Sequence, residues 1–500
     1  MPTHFITADL VKIYTGTESR SDLITVAAWG DPVEVVKVNA ASIEVSINST
    51  SEAADGSVTS TRKSGFIHTK GKNTKEFIRP FDERDVLSVA FVDVQQGDGC
   101  VIETPEGKVM LIDGGENQLF ARYLASRFPG TSLTNPKEIE CIVVTHGDAD
   151  HYAGLPEIEK SERHSESKKR LFIKPLRVFH NGIIKRPGKD ADKKDVPDLK
   201  LLGKTKKVGD DHFLTELEDD LLTVPDKNLN KYFKEWKHCL QAYTDFHGGI
   251  EQKRLDSTMK NQFEFLDEGI TVDVLGPITE EIDDKVTLKF LREPRSRAAI
   301  PTATPRINNS FSASHTINGH SIILKLTYGN VRFLFSGDLN EEAEEILVEA
   351  SSINPDVLRA EVLKVPHHGS GDFSNDFLEA VSPVVSVVSS GDETEQKEYI
   401  HPRATLMGAL GKHSRINRPL VFVTELVAFF KMEGFSKSNK TPSKSYFGFS
   451  RSAFGIVHVR TDGKRMLVFT HSGKKNAKEA YAYTIESLNV MPVSDEVKIF

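Results

Sequence analysis

The sequence predicts an α/β protein in which a small β domain precedes a larger domain of mixed strands and helices. Two observations support this prediction. Residues 1–85 contain strand-like runs such as DLVKIY and VEVVKV, separated by turn-forming residues and without a helical pattern. From Val86 onward, apolar runs of strand length alternate with segments of helical spacing. We therefore expect residues 1–85 to form a β domain of unknown role and residues 86–500 to form the second domain.

The second domain is expected to begin with three strands. In LSVAFVDVQQGDGCVIETPEGKVMLIDGG, the turn PEG separates CVIET from KVMLID, which is typical of a hairpin. QLFARYLASRF has helical spacing, and ECIVVT is a buried strand that leads directly into His146. This start therefore places polar residues at the ends of strands, where sites commonly form.

A charged insertion is expected at about residues 156–265. Helical spacing predicts helices over KYFKEWKHCLQAY and STMKNQFEFL. Between 168 and 207 there are fourteen Lys or Arg against four Asp, whereas 210–226 carries seven acids and no Lys or Arg. The basic run, with Lys168, Lys169, Arg170, Lys206 and Lys207 at its ends, suits a path for an anionic polymer. A solvated loop, partly neutralised by its acidic neighbour, is the alternative.

After the insertion, strands and helices alternate again. Strands are expected over ITVDVLGP, SIILKLTY, VRFLFSGD, EVLKVPHHGS and VVSVVSSG, with helices over NEEAEEILVEAS, DFSNDFLEAV and HPRATLMGAL. A hairpin around TDGK is expected to complete a sheet.

Composition argues against a membrane or a disulfide-stabilised protein. The longest apolar run, LVFVTELVAFF, is too short to span a bilayer, and the first residues lack the pattern of a signal peptide. The three cysteines form neither a CxxC pair nor a disulfide framework. With a net charge of −8, the chain as a whole has no attraction for nucleic acid. We expect a cytoplasmic protein that does not bind membranes.

The loop THGDADHYAG, residues 145–154, carries four metal-capable side chains within six positions. These are His146, Asp148, Asp150 and His151. A helix cap would explain one of the two aspartates, but it would leave the other residues unexplained. Further candidates also follow predicted strands, namely Asp113, His180, Asp338, His367, His368 and His401.

Six segments in this order resemble the hydrolases of the metallo-β-lactamase fold, and most closely the hydrolase domain of ComEC-type competence proteins. They are VDVQQGDG, LIDGG, THGDADHYAG, NGHSIILKLTYGNVRFLFSGDL, LKVPHHGS and HPR, and they span about residues 86–405. The resemblance implies an αββα sandwich, with two sheets between outer helices. Two positions depart from the usual motifs. Gln95 stands where the ComEC-type VGQGD has its first glycine, and Asp148 replaces the second histidine of HxHxDH, a change that is common in this branch.

The resemblance implies two divalent metal ions, zinc or manganese, with Asp338 as a bridge between them. The first set of ligands is His146, Asp148 and His180, and the second set is Asp150, His151 and His368. His164 or His212 could replace His180, because that segment varies. A carboxylate at position 148 makes the first site harder and favours Mn²⁺.

The resemblance also implies roles around the metals. Asp150, His367 and His401 are expected to be catalytic, the two histidines by contacting substrate or protonating a leaving group. Asp113 is expected to orient a ligand imidazole. Ser321, Ser370 and Arg403 would supply donors to a phosphate. Alternatively, Ser321 only opens a strand and Arg403 only begins a helix.

These expectations favour a phosphodiesterase or nuclease that uses a hydroxide activated by two metal ions. One alternative substrate is a small phosphodiester, such as a cyclic nucleotide or a phosphocholine ester. A second alternative is a non-catalytic binding protein with a structural metal site, whose N-terminal β domain recruits a protein partner. The intact set of His146, Asp150, His151 and Asp338 argues against this last interpretation.

Overall fold

The computed structural model describes residues 3–52, 58–293, 310–391, 401–424, 430–437, 445–451, 455–471, 478–486, 489–492 and 498–499. All residues nominated for the site lie inside these ranges. Within them, no helix is both long and apolar enough to cross a membrane.

The N-terminal part is a seven-stranded antiparallel sheet. Its strands follow the order Leu23–Ala28, Leu10–Tyr14, Val58–His68, Ser42–Glu52, Pro32–Val38, His4–Ile6 and Ile78–Pro80. Short 3-10 helices at Thr74–Glu76 and Phe81–Glu83 flank the last strand. Buried Val11 and Ile13 alternate with partly exposed neighbours, so one face of the sheet is buried. The boundary at residue 85 remains a prediction.

Two further sheets form the centre of the larger part. The first has eleven strands, in the order Glu251–Arg254, Arg177–His180, Cys141–Val143, Val109–Ile112, Cys100–Glu103, Leu87–Phe91, Val457–Thr461, Arg465–His471, Lys478–Glu486 and Asn489–Pro492, with Lys498–Ile499 also paired to Lys478–Glu486. The second has six strands, in the order Ile270–Gly276, Ile323–Tyr328, Val331–Phe335, Val362–Lys364, Val385–Val388 and Leu420–Val423. The expected TDGK hairpin contributes the strands Val457–Thr461 and Arg465–His471.

The main hydrophobic core lies between these two sheets. Leu87, Val89 and Phe91 point into it from the first sheet, and Leu324 and Phe333 enter it from the second. Burying one such side chain fully contributes roughly 1.5–3 kcal/mol relative to exposure. The alternation of side chains along each strand leaves the opposite faces for helices.

Helices cover both outer faces. Leu119–Arg127 and Lys231–His247 pack on the eleven-stranded sheet. Glu341–Ala350, Asn375–Val381 and Ala404–His413 pack on the six-stranded sheet. The predicted αββα sandwich is therefore confirmed.

The predicted insertion contains small elements. They include the helices Pro156–Ser161 and Asp198–Leu201 and the 3-10 helices Ser167–Lys169, Leu221–Thr223 and Asp226–Asn228. The strand Ile173–Pro175 pairs in parallel with Lys137–Ile139, which precedes the insertion. The strands Thr205–Val208 and Asp211–Leu214 form a four-stranded sheet with Lys285–Lys289 and Glu280–Ile282, which follow the insertion. The helix predicted over STMKNQFEFL is wrong, because this segment forms turns. The Asp256 carboxylate accepts hydrogen bonds from both the backbone and the side chain of Thr258, and Asn261 has a φ of 60°, so the backbone leaves the helical conformation.

Further elements complete the described part of the chain. They are the helices Ala149–Tyr152 and Ala313–Gly319, the 3-10 helices Pro355–Val357 and Pro366–Gly369, and a hairpin of Phe430–Lys437 and Ser445–Arg451. Cys141–Val143 runs parallel to Val109–Ile112, and Val331–Phe335 runs parallel to Val362–Lys364. Because parallel strands end at the same edge, Asp113 and His146 meet in one sheet, and Asp338 and His367 meet in the other.

Candidate metal centre

Four side chains converge between the carboxyl edges of the two sheets, and three of them, His151, Asp338 and His368, are buried. His368 Nε2 lies 3.0 Å from Asp338 Oδ2 and 3.3 Å from Asp150 Oδ2. His151 Nε2 lies 3.3 Å from Asp338 Oδ1. The structure thus brings together the three residues predicted for the second metal and the predicted bridge.

These atoms have the character of metal ligands. The Nε2 atoms of His146, His151 and His368 and Oδ1 of Asp338 are buried and lack a hydrogen-bond partner. Buried polar groups are nearly always hydrogen-bonded, so this group of orphaned atoms needs another partner. Imidazole nitrogens and carboxylate oxygens are the ligands that zinc and manganese accept. The residues therefore fit a divalent metal ion.

Asp98 is a site residue that the sequence analysis missed. Ligand atoms of Asp98, His151, Asp338 and His368 all lie within 4.8 Å of one another. However, Asp98 faces Nδ1 of the imidazoles, at 3.4 Å from His368 and 3.8 Å from His151, whereas Asp150 faces Nε2 of His368. We therefore place Asp150 on the side of the ion and Asp98 behind the imidazoles. The only signal for Asp98 was its place in VDVQQGDG.

A buried lysine, Lys364, connects the carboxylates on this inner side. Its ammonium contacts Asp98, lies 3.6 Å from Asp338 Oδ1, and donates to the carbonyl of Gly337 at 2.8 Å. Burial would lower the pKa of Lys364, but the charges of Asp98 and Asp338 raise it above its ordinary value. Lys364 therefore stays charged and holds both carboxylates in place.

The imidazoles of His151 and His368 each have a partner at Nδ1 that orients the ring. Asp113 Oδ2 lies 2.8 Å from His151 Nδ1 and accepts a hydrogen bond from Thr145 Oγ1 at 2.7 Å. The carbonyl of Ser389 lies 3.0 Å from His368 Nδ1. A proton on Nδ1 leaves Nε2 as the donor atom for a metal, which is the usual arrangement at metal sites.

The charges of these groups are strongly coupled. Burial would lower the pKa of His151 and of His368, but the carboxylate of Asp338 beside each raises it well above the ordinary histidine value. Burial would raise the pKa of Asp338, yet His368 and His151 lower it well below its ordinary value. Burial lowers the pKa of His146 well below its ordinary value, so this imidazole is neutral.

Metal binding is expected to release about two protons, because a metal binds neutral imidazole and both His151 and His368 retain protons above the ordinary histidine pKa. Affinity should therefore be low in acid and rise with pH until both raised pKa values are passed. Titration calorimetry in two buffers of different ionisation enthalpy measures the protons released. His368→Gln should release about one proton fewer, and His413→Gln, on an outer helix, should match the parent. Heats that do not depend on the buffer would contradict this expectation.

Ser321 supports the centre from within. Its hydroxyl lies 3.3 Å from His146 Nδ1, donates to the carbonyl of Asn318 at 2.8 Å, and accepts from the backbone N–H of Asp338 at 3.0 Å. Ser321 is fully buried, which leaves no surface for the predicted contact with substrate. The structure instead gives Ser321 a role in orienting His146 and Asp338.

Asp148 contacts residues outside the predicted set of ligands. Its Oδ1 accepts from Lys185 Nζ at 2.7 Å. With the Asn318 amide oriented so that its nitrogen donates, that nitrogen lies 3.0 Å from Asp148 Oδ2. Asp148 is also the N-cap residue of Ala149–Tyr152, but its side chain makes no capping bond. Capping therefore does not explain this carboxylate.

His180 is occupied by backbone groups. Its Nδ1 accepts from the N–H of Gly182 at 3.1 Å, and its Nε2 lies 3.2 Å from the carbonyl of Asp219. No hydrogen bond or ion pair among the described residues links His180 to His146 or Asp148. The two alternatives lie elsewhere, since His164 accepts from the N–H of Glu166 and His212 packs edge-on against Phe311.

The PHHGS segment has an unusual backbone. His367, His368 and Gly369 have φ values of 48°, 52° and 86°, all in the left-handed region. A non-glycine residue in this region is strained, and such strain commonly accompanies functional sites. The turn directs His368 toward Asp150 and Asp338, and directs His367 toward Asn318, 3.3 Å from its Nε2.

The remaining predicted residues border the open side of the centre. The rings of His367 and His401 lie 6.0 Å apart. Arg403 is exposed, and its N–H donates to the carbonyl of Gly369 at 2.8 Å. Ser370 is partly exposed and accepts from the N–H of Asp372 at 3.3 Å. Burial lowers the pKa of His367, and burial followed by the charge of His368 lowers the pKa of His401 to about 4.

Gln95 adopts the left-handed backbone conformation that glycine would favour at this position of the turn before Asp98. Gln95 has a φ of 65°, so it adopts the left-handed conformation despite its side chain. Gly97 has a φ of 98°, and a Cβ added there would lie 1.7 Å from the carbonyl oxygen of Asp150. Glycine at 97 therefore allows the Asp98 turn to pack directly against the THGDADHYAG loop.

Comparison with known proteins gives matches in the region of this centre. The ComE operon protein 3 of Bacillus subtilis (strain 168) is 32% identical over 98 residues, covering 19% of this chain and 12% of that protein. The competence protein ComA of Neisseria gonorrhoeae is 37% identical over 97 residues, covering 19% of this chain and 13% of that protein. The chain spans about one eighth of the length of these curated relatives. Both matches support the resemblance to ComEC-type proteins.

Solved structures show weaker likeness. A metallo beta lactamase from Hirschia baltica is 12% identical, with a TM-score of 0.23 over 70% of this chain and 97% of that chain. A long form RNase Z from yeast is 9% identical, with a TM-score of 0.26 over 72% of this chain and 49% of that chain. TM-scores this low support no statement about activity.

Residues 92–222, which carry Asp98, Asp113 and the THGDADHYAG loop, match the Metallo-beta-lactamase superfamily. This part of the chain is therefore similar to the Metallo-beta-lactamase superfamily.

Proposed function

We propose that the protein is a metal-dependent phosphodiesterase that acts on nucleic acid. The observation that carries this proposal is a centre that is buried on one side and open on the other. The side chains of His151, Asp338 and His368 are at most 4% exposed, whereas those of Asp148 and Asp150 are each 20% exposed. Structural metal sites are closed, and catalytic sites keep an open position. This contrast argues against the alternative of a purely structural metal.

The chemistry follows from the donor set. A divalent ion at such a site lowers the pKa of water and polarises a phosphoryl oxygen. Asp150, His151, Asp338 and His368 would hold the ion, and Asp98, Asp113 and Lys364 would fix the orientation of these ligands. A rigid set of ligands keeps the geometry that the reaction needs.

The lowered pKa values of His367 and His401 bear on their two predicted roles, which are substrate contact and protonation of the leaving group. A histidine that is neutral at pH 7 is a poor general acid, but its ring N–H can donate to a phosphate oxygen. The rings of His367 and His401 lie 6.0 Å apart, and the N–H of exposed Arg403 donates to the carbonyl of Gly369, which follows His368. We therefore assign His367 and His401 to substrate contact in preference to protonation of the leaving group.

A polymeric substrate is favoured by the basic segment that includes Lys185. Several of its cations already pair with nearby acids, since Lys168 and Lys169 contact Glu166 and Lys206 contacts Asp283. Surface pairs of this kind contribute only about 0–1 kcal/mol, so a phosphate can displace them. Hydrolysis of a small phosphodiester is the alternative. A protein partner at the N-terminal sheet and a cytoplasmic location also remain predictions.

Binding of single-stranded DNA is expected to weaken steeply with salt. Three to five phosphate contacts predict a slope of log affinity against log salt of about −2 to −3.5, because each contact contributes roughly −0.7. Replacing Lys168, Lys169, Arg170, Lys206 and Lys207 by Gln should flatten this slope and leave hydrolysis of bis-p-nitrophenyl phosphate nearly unchanged. Fluorescence anisotropy at several salt concentrations measures the slope.

A matched control removes five lysines from the N-terminal sheet and its loops. These are Lys37, Lys63, Lys70, Lys72 and Lys75, also replaced by Gln. The control should keep the parent's slope and the parent's ratio of DNA to small-diester hydrolysis. If the basic-segment variant keeps that ratio as well, the small-phosphodiester alternative is preferred.

A further inference from the structure

We propose that the centre binds one divalent ion, and that the ammonium of Lys185 takes the place of the second ion beside Asp148. This inference rests on the proposed function and deepens it. The ion would lie with Asp150, His151, Asp338 and His368. The resemblance implied two ions, and the proposal of a single ion rests on the partners that the structure places around Asp148.

Both oxygens of Asp148 already have partners. Lys185 Nζ lies 2.7 Å from Oδ1, and the Asn318 amide nitrogen lies 3.0 Å from Oδ2. The amide oxygen of Asn318 then accepts from His367 Nε2 at 3.3 Å, which continues the network. Asp148 therefore belongs to a hydrogen-bonded group of its own, in contrast to the orphaned ligand atoms next to it.

Of the two histidines predicted to bind a first ion, only His146 has a ring nitrogen without a hydrogen-bond partner. His180 uses both ring nitrogens on the backbone groups of Gly182 and Asp219. His146 keeps a buried Nε2 without a partner, but its ring packs 4.0 Å from the ring of His151, beside the ion that we assign. Among the described residues, one group of three or more metal-capable side chains has ligand atoms that all lie within 4.8 Å of one another. This group is Asp98, His151, Asp338 and His368, and it includes none of His146, Asp148 and His180.

Charge also favours a single ion. Asp98, Asp150 and Asp338 surround the centre, and Lys364 supplies one positive charge to them. One divalent ion together with Lys364 balances these three carboxylates, while Asp113 is engaged by His151 and Thr145. A second divalent ion would add two positive charges next to the Lys185 ammonium, which would repel it.

Lys185 is placed to do what a second ion would do. Its side chain is 32% exposed, and Asp148, two residues before Asp150, holds its ammonium at 2.7 Å. A lysine ammonium is a compact positive charge that binds phosphate oxygens. The structure thus assigns Lys185 to the phosphoryl group of the substrate, on the side of the centre where Asp148 lies.

Metal counting tests this inference without relying on activity. The protein is saturated with Mn²⁺ and desalted, and bound metal is measured by mass spectrometry together with electron paramagnetic resonance. We expect one ion per chain, with the spectrum of an isolated Mn²⁺. Asp148→Asn should still bind one ion, and Asp150→Asn should lose it or bind it weakly. Two ions in the parent, with an exchange-coupled spectrum and loss of one ion in Asp148→Asn, would overturn the inference.

Substitution of Lys185 tests directly whether its ammonium takes the place of a second metal ion. In Lys185→Met the carboxylate of Asp148 loses its ammonium partner, so a second, weaker Mn²⁺ should bind. Lys185→Arg, which keeps the charge, and Lys189→Met, which removes an exposed lysine four positions away, should both bind one ion. A single ion in Lys185→Met under saturating Mn²⁺ would contradict the assignment of Lys185.

Hydrolysis of bis-p-nitrophenyl phosphate by the same samples separates the two proposals. Two ions with hydrolysis would overturn the single-ion inference and leave the proposed function standing. One ion without hydrolysis of any phosphodiester would support the inference and count against the proposed function.

Discussion

Asp338→Ala is expected to abolish hydrolysis of phosphodiesters and to remove the bound metal. Among the described residues, Asp338 is the carboxylate that faces Nε2 of both imidazoles, at 3.3 Å from His151 and 3.0 Å from His368. Its loss removes a ligand and leaves the Lys364 ammonium with Asp98 as its remaining carboxylate partner. Metal affinity should fall by more than the roughly 10–100-fold that is typical of an outer partner.

The measurements are bound metal per chain and the rate with bis-p-nitrophenyl phosphate. Asp273→Ala is the matched control, because Asp273 lies exposed on the strand Ile270–Gly276 of the same sheet. This control should retain metal and activity. Near-normal turnover by Asp338→Ala with metal still bound would show that Asp338 is not a ligand.

Lys364→Met is expected to cause a large loss of stability. The substitution conserves most of the side-chain volume but leaves the carboxylates of Asp98 and Asp338 buried without the ammonium between them. Removing one partner of a buried ion pair costs about 3–5 kcal/mol. Urea unfolding of the metal-free protein measures this loss, and added metal should recover part of it by binding the same carboxylates.

Lys325→Met provides a close comparison. Lys325 is also buried in the six-stranded sheet, but its ammonium donates to two carbonyls, those of Asp356 and Val357, at 2.8 and 2.9 Å. Removing it leaves no buried carboxylate uncompensated, so the loss should be nearer to 1 kcal/mol per hydrogen bond. Equal losses for the two variants would show that the pairing of Lys364 with Asp98 and Asp338 is not the cause.

The sandwich was predicted through the resemblance to hydrolases of the metallo-β-lactamase fold, and the pattern of apolar runs predicted where its strands lie. The apolar run before His146 and the segment VRFLFSGD before Asp338 both read as buried strands. Parallel pairing within each sheet then brings His146 next to Asp113 and Asp338 next to His367. The predicted helix over STMKNQFEFL failed because local hydrogen bonds from Asp256 outweighed helical spacing. The spacing of apolar residues indicates which face of an element is buried. It does not indicate whether a side chain such as Asp256 forms local hydrogen bonds that compete with the helix.

The sequence predicted that Asp150, His151, Asp338 and His368 come together, but it did not predict the charged groups around them. Lys185, Asn318 and Lys364 come from three distant segments, and a lysine in a sequence carries no sign that it will be buried against carboxylates. Their positions depend on the packing of the two sheets. The same packing explains why Ser321, predicted to contact substrate, is buried beneath His146 and Asp338.

The left-handed turn at His367, His368 and Gly369 has a consequence for protein engineering. Two consecutive non-glycine residues in this conformation cost of order 1–3 kcal/mol each. Glycine at position 367 would relieve part of this cost and would remove a side chain that lines the open side of the centre. Selection of a variant library for heat resistance alone should therefore enrich glycine at position 367. The enriched variants should be more stable but less active, so this turn is one place where stability and activity conflict.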